Sequence, residues 1–251
     1  MEQLKTFKIL TVLLPMQWAF IQLFSRYPEL VETYYSRGFY LVISKLYRIL
    51  LGWIPFSVGD LFYAAIVIFI VYHLVKSIKD RSLFTKLTIF RTGAFLSVIY
   101  FLFNLSWGLN YYRQSLHKNL QIGSADYSVE ELYDLTASLV LKSNEVHWSI
   151  TNNDTVQVNN PAKKSAINKA AKQAYDNLGS KIPLFEYDYA AAKKSIFSLP
   201  LTYMGFAGYL NPFTNEAQVN GIMPKNSYAA TLCHEIAHQT GISSESEANF
   251  V

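Results

Sequence analysis

From Thr92 to Tyr112 the chain reads TGAFLSVIYFLFNLSWGLNYY, a run without formal charge whose length matches the hydrocarbon core of a bilayer. A backbone in lipid finds no water for its N–H and C=O groups, so a lone run of this kind can cross only as a helix. Trp107, Tyr111 and Tyr112 gather at one end, where interfacial aromatics sit. A second span is expected over residues 58–75, centred on LFYAAIVIFIVYHLV from Leu61 to Val75. Asp60 is the only charge between Arg48 and Lys76, and Pro55 and Gly59 mark a turn in the GWIPFSVGD lead-in. A shorter candidate, residues 9–24, carries Pro15, Gln17 and Gln22. Lys5 and Lys8 precede it as in a signal peptide, but no A-x-A-like cleavage site follows, which favours an uncleaved anchor.

Composition supports that division. With 51% hydrophobic and 16% charged residues among 251, the chain is too apolar for disorder. Residues 1–109 hold eleven Lys/Arg against five Asp/Glu, whereas residues 110–251 hold eleven against thirteen. The basic excess belongs to the apolar half, where it reports topology and leaves no basic face for nucleic acid. Lys76, Lys79, Arg81, Lys86 and Arg91 crowd one short loop against Asp80, which places that loop and the N-terminus inside and everything after Tyr112 outside. Residues near 31–50, within VETYYSRGFYLVISKLYRILLG, read either as a helix lying on the membrane surface or as a helix packed on the spans. The one cysteine, Cys233, excludes a disulfide framework, so any metal must use His and carboxylate.

The expected organisation is a membrane domain, residues 1–112, with about three transmembrane helices, and an extracytoplasmic domain, residues 113–251. The fold class is mainly α, the outer part being α+β with a small irregular sheet. Ser128 and Glu131 form a capping box opening a helix from Val129 to about Val146. The Asn-rich loop 151–161 leads into a second helix from about Ala162 to Leu178, closed by Gly179. Residues 196–220, rich in Gly, Pro and aromatics, predict short strands and turns, and a strand there would suit a peptide that adds itself to a sheet edge.

Chemistry concentrates near the C-terminus. His234, Glu235 and His238 form H-E-x-x-H in a segment of helix formers. Residues four apart share a helix face, so two imidazoles reach one point, and Glu235, about 100° further round, suits a general base. A catalytic zinc site needs a third protein ligand and an open position. Gly241 lets the chain turn back, and two carboxylates then compete: Glu247 stands at capping-box spacing from Ser244, while Glu245 lies nearer the turn with Asn249 four residues on as its supporting partner. Tyr203, Tyr209 and Asn211 are candidates for contacting a substrate oxyanion, and Glu216 for a substrate amine. Cys233, His73, His117, His147 and Asn104 read as packing or surface residues.

His234, Glu235, His238, Gly241 and the E-x-x-A-N run of Glu245, Ala248 and Asn249 resemble the active-site segment of zincin metallopeptidases whose third ligand is a downstream glutamate in E-x-x-A-[DN]. More broadly, the N-terminal spans, GFAGYLNPFTNEAQVN and HEIAHQTGISSESEANF resemble an uncharacterised family of bacterial membrane proteins of unknown function. The zincin likeness covers about the last twenty residues and implies a zincin-like domain with zinc held by His234, His238 and Glu245 and Glu235 as base. The ligand-bearing turn is shorter than in most glutamate zincins and nearer the metzincin turn, whose third-His position here is Ser244. The ligand-bearing helix is expected to continue beyond Val251. The resemblance thus implies a membrane-anchored zinc metallopeptidase of the bacterial cytoplasmic membrane, acting on a peptide or protein substrate on its outer side. The alternatives are a zinc amidase acting on cell-wall peptide, or a metal-free scaffold or sensor. An intramembrane protease is disfavoured, since residues 226–242 carry Asn, Ser, Thr and Gln and no span-length apolar run.

Overall fold

Small and hydroxyl-bearing side chains set the packing of the apolar helices. In the computed structural model, which describes residues 2–123 and 126–251, Gly93 of α5 (Lys86–Ser106) lies so close to Thr11 of α1 (Glu2–Phe24) that an added Cβ would stand 2.5 Å from the Thr11 methyl. Thr11 donates to the Phe90 carbonyl at 3.0 Å and Gln17 to Ser97 at 3.2 Å. Contacts that advance together along both helices make the pair parallel. Phe69 of α4 (Val58–Lys79) stacks on Phe95 at 5.5 Å, and His73 and Ser77 share a cavity with Thr92 and Thr88, so α4 runs antiparallel to α5. The chain's N-terminus and the α4–α5 connection therefore lie at one end, and the remaining elements gather at the other.

All three helices are long and apolar enough to cross a membrane, but their bounds differ from the sequence expectation. The expected span 92–112 begins earlier, at Lys86, where Thr85 accepts from Thr88 N, and ends at Ser106. The backbone leaves the helix at Trp107 (φ −159°) and makes a tight 3₁₀ turn over Gly108–Tyr112. That exit aims Trp107 and Tyr111 away from the helix bundle and towards the C-terminal part of the chain.

The segment after α1 is helical through residues 31–50. Following α2 (Pro28–Leu30), a wide π-helical stretch over Val31–Phe39 leads into α3 (Tyr40–Leu51). Val31, Tyr35, Tyr40, Ser44 and Arg48 are all buried, at spacings of four or five that keep one stripe on one face. The stripe packs inward on the C-terminal part of the chain, where Tyr40 and Arg48 reach Gln239 O, while Val42, Leu46 and Leu50 on the other side of the helix are exposed.

Beyond the 3₁₀ turn come α6 (Leu116–Asn119), α7 (Val129–Thr151), α8 (Lys164–Lys181), β1 (Ala192–Lys194), α9 (Ser198–Met204), β2 (Gly208–Asn211), β3 (Glu216–Val219), α10 (Lys225–Gln239) and α11 (Glu245–Phe250). The Ser128–Glu131 capping box is present on α7, which runs on to Thr151. Gly179 does not stop α8. It lies inside the helix, and an added Cβ would stand 3.0 Å from the Glu186 backbone, so the close approach of that segment calls for glycine. Where strands and turns alone were expected, residues 198–204 are helical, with Gly205 (φ +78°) ending the turn. The sheet order is β1-β3-β2, with β1 parallel and β2 antiparallel to a fully buried β3. Ile167, Ala171, Tyr175, Val219, Leu232 and Ile236 form the core between α8, the sheet and α10.

Two sets of polar contacts fasten this unit to the apolar helices. The first turn of α4 offers unpaired N–H groups, and Val58 N and Gly59 N donate to the Glu216 carboxylate at 3.2 and 2.5 Å. Lys193 pairs with the same carboxylate in full burial. Asp60, also buried, accepts from Ser195 Oγ, Ile196 N and the Tyr209 hydroxyl. At the other end of the unit, the last carbonyls of α10 and its turn are capped from the N-terminal half. Tyr40 donates to Gln239 O at 2.9 Å, Arg48 to the same oxygen at 3.3 Å, Trp107 Nε1 to His238 O at 3.2 Å and Arg113 to Gly241 O at 2.9 Å. Arg113 is itself held by buried Glu32 at 2.7 Å. Burial alone would raise the Glu32 pKa, but Arg113 and Arg37 outweigh it and hold the carboxyl below its usual range.

Replacing Arg113 by Leu leaves the Glu32 carboxylate with only the half-exposed Arg37 and strands the Gly241 carbonyl. It should cost about 3–5 kcal/mol, the usual penalty for halving a buried pair, seen as a lower melting temperature of the full-length protein in detergent. Adding Glu32→Gln to that variant should recover part of the loss.

Candidate metal centre

Helix α10 carries its functional groups on one face because the opposite face supplies the core: Leu232 and Ile236 pack inward. Gln239 pins the helix to the strands, donating to Asn215 O at 2.6 Å and accepting from Tyr187 at 2.6 Å. After Thr240 the chain reverses at Gly241, where φ is +90° and an added Cβ would meet the Tyr40 ring at 2.9 Å. Glycine is therefore required there both by backbone conformation and by space. The reversal sends α11 back across the face of α10 and carries Glu245 to the histidines.

Three ligand-type atoms converge as a result. His234 Nε2 and His238 Nε2 lie 3.1 Å apart, and Glu245 oxygens stand 3.0 and 3.6 Å from them. Zinc–nitrogen and zinc–oxygen bonds at a tetrahedral angle place their donor atoms roughly 3.3–3.6 Å from one another, and here one ligand atom from each of the three residues lies within 4.8 Å of the others. The outer nitrogens decide its electronic character. His238 Nδ1 meets the Ile242 carbonyl at 2.6 Å, and His234 Nδ1 meets Asn249 Oδ1 at 2.8 Å. Both partners are acceptors, so both rings carry their proton on Nδ1 and turn the Nε2 lone pair inward. Facing each other beside a carboxylate, the two nitrogens are satisfied by a shared proton or by a cation between them. Burial holds His238 below its ordinary pKa, with His234 adding to the effect and the Ile242 carbonyl and Glu245 opposing it. Among the described residues, His234, His238 and Glu245 are the one group of three such side chains placed to hold a metal.

Glu235 sits beside this triangle. Its side chain is buried, and Oε2 has no hydrogen-bond partner. Burial, reinforced by the neighbouring Glu245 carboxylate, pushes its pKa up to about 8. Gly208 on β2 makes room for it: a Cβ there would stand 2.7 Å from Glu235 Oε1. The free edge of β2 and the metal-site face of α10 enclose a cleft of about 760 Å³. His234, Glu235, His238, Glu245 and Asn249 line it, with Trp107, Tyr111, Phe206, Gly208 and Tyr209.

The other sequence candidates are placed differently. The Glu247 carboxylate accepts from Leu116 N at 2.7 Å, capping α6 and not its own helix, so it is turned away from the histidines. Ser244 makes no side-chain cap to α11. Tyr209 lines the cleft, but its hydroxyl is committed to Asp60. Asn211 is buried, with its carboxamide oxygen held by Phe213 N. Tyr203 points into solvent outside the cleft, and Glu216 is fully buried against Lys193 and the start of α4. Nearness in sequence to the zinc-type motif does not specify the side of a strand on which a residue falls.

The residue pattern alone gives no role to Trp107, Tyr40, Arg48, Arg113 or Gly208 at this site. A signal exists for two of them: Arg48 and Arg113 are charges at the ends of long apolar runs, which are rarely placed there without a partner.

A family model described as "Protein of unknown function (DUF3810)" matches residues 35–251. No curated protein and no solved structure matches the chain.

Full-length protein purified in detergent should carry one zinc per chain by elemental analysis. His238→Ala should lose it, Glu247→Gln should keep it, and Asn249→Ala should weaken zinc affinity by about 10–100-fold, as loss of a ligand-orienting contact does. Zinc retained in full by His238→Ala would contradict the assignment.

Proposed function

The chain belongs to the DUF3810 family, proteins of unknown function, and we propose that it is a membrane-anchored zinc metallopeptidase with its active cleft on the outer side of the membrane. One observation carries the reading: both imidazoles are locked with Nδ1 bonded to an acceptor and Nε2 aimed at one point, which Glu245 also reaches. A metal ion at that point would bond all three groups at once, which a single proton cannot do.

Zinc held by His234, His238 and Glu245 would supply Lewis acidity, polarising a peptide carbonyl and acidifying a water molecule at its open position. The protein's own part is then to hold and move protons. Glu235, with a free Oε2 and a raised pKa, accepts a proton from water as the oxygen attacks the carbonyl carbon. It passes that proton to the amine nitrogen as the C–N bond breaks, leaving a carboxylate and an amine. Asn249 and the Ile242 carbonyl keep the rings oriented throughout. The unpaired edge of β2, which lines the cleft through Gly208, Tyr209 and Leu210, offers backbone groups to an extended peptide. The outward orientation rests on Lys5, Lys8, Lys79, Arg81 and Lys86, which cluster at the end of the spans away from the cleft and mark that end as cytoplasmic.

Glu235→Gln should leave zinc stoichiometric and lower turnover of a fluorogenic peptide library by about 10²–10⁴-fold, the usual worth of a general base. Gly208→Ala should act the same way more mildly, because the new methyl displaces the Glu235 carboxylate. Unchanged turnover in Glu235→Gln would overturn the mechanism.

A further inference from the structure

The cleft is built on the ends of two apolar helices. One wall comes from the end of α5 and the turn after it, which contribute Phe103, Trp107 and Tyr111. The facing wall is β2, and β2 rests on the beginning of α4. Tyr209 bonds Asp60 and stacks on Tyr63 at 6.1 Å, and Phe213 just beyond it packs against Phe62 at 5.2 Å. Since α4 and α5 are antiparallel, the start of one and the finish of the other lie at the same end. Both walls therefore sit at one level, where the apolar surface of the helices stops.

The rim continues that surface. Phe206, 56% exposed, and Tyr111, 59% exposed, stand at the cleft itself. Ile196, Leu199 and Met204 are exposed on and beside α9, whose lead-in is tied to Asp60 on the first turn of α4. Trp53, just before α4, is exposed as well, in the manner of an aromatic belt. A cleft whose walls begin where the spans end, and whose rim is apolar and continuous with them, opens at the boundary between acyl chains and headgroups.

Resting on the peptidase reading, we infer that the substrate is a membrane-anchored polypeptide, cut within a few residues of its anchor, and not a peptide diffusing freely in solution. Such a substrate brings the scissile bond to the right depth without extra ordering, and its apolar flank is buried against Phe206 and the α5 end instead of being left in water.

The test uses the full-length, zinc-loaded protein in phosphatidylethanolamine/phosphatidylglycerol vesicles. A fluorogenic peptide library is presented free, or tethered by a palmitoyl chain through flexible Gly/Ser spacers of about four or about thirty residues. A site at the surface is reached best by the short spacer, and the dilution of a longer tether lowers the rate by about tenfold. A site standing off from the membrane gives the opposite order. Short-spacer peptides cleaved fastest, with free peptides slowest, is the expected result. Rates that rise with spacer length, or free peptides cleaved as fast as tethered ones, would overturn this inference while leaving the peptidase reading intact. No cleavage of any peptide would sink the peptidase reading and this one with it. Placement has its own readout, independent of turnover. A bimane label on Phe206→Cys in a Cys233→Ser background should be quenched by lipids brominated high on their acyl chains, and absence of quenching would remove the membrane-level cleft.

Discussion

A helix ends in carbonyl oxygens without intrahelical donors, and everything in this molecule turns on how the end of α10 meets that need. Four side chains supply the donors, Tyr40, Arg48, Trp107 and Arg113, and all come from the N-terminal half. Two of the four are cationic, which also suits the negative end of the helix dipole. Helix α10 thus completes its hydrogen bonding only when docked on the packed stripe of residues 31–48 and on the turn after α5. The Glu216 carboxylate does the converse at the opposite pole, satisfying the first N–H groups of α4 from within the sheet. The apolar helices and the C-terminal unit are consequently one interlocked structure.

The same docking explains the geometry of the centre. Tyr40 fills the space that Gly241 leaves, and Arg113 holds the Gly241 carbonyl. The tight reversal is thereby fixed from outside, and it brings the Ile242 carbonyl to His238 and α11 to His234. Both imidazoles are oriented by their outer nitrogens, and the inner ones are brought to one point together with Glu245. Gly208 completes the site from the strand side by leaving space for Glu235.

Much of this was legible in the residues alone. Charge-free runs of bilayer length and the spacing of His234 and His238 are local patterns with a single physical meaning, and the Ser128–Glu131 cap belongs with them. The choice between Glu245 and Glu247 was not local. It turns on Leu116, a residue far away in sequence whose unpaired N–H takes the Glu247 carboxylate. Tyr209 and Glu216 looked available because buried polar networks leave little trace in sequence, yet one is spent on Asp60 and the other on Lys193 and α4. Helix α9 was hidden for another reason: in SLPLTYM, Pro and β-branched Thr obscure helical periodicity, and a seven-residue helix is too short to display it.

Zinc K-edge X-ray absorption on the purified full-length protein addresses the central claim most directly. The account predicts a shell of nitrogen and oxygen atoms alone at about 2.0–2.2 Å, with the outer scattering of two imidazoles and no sulfur from Cys233. A spectrum showing a sulfur ligand, or fewer than two imidazoles, would contradict it.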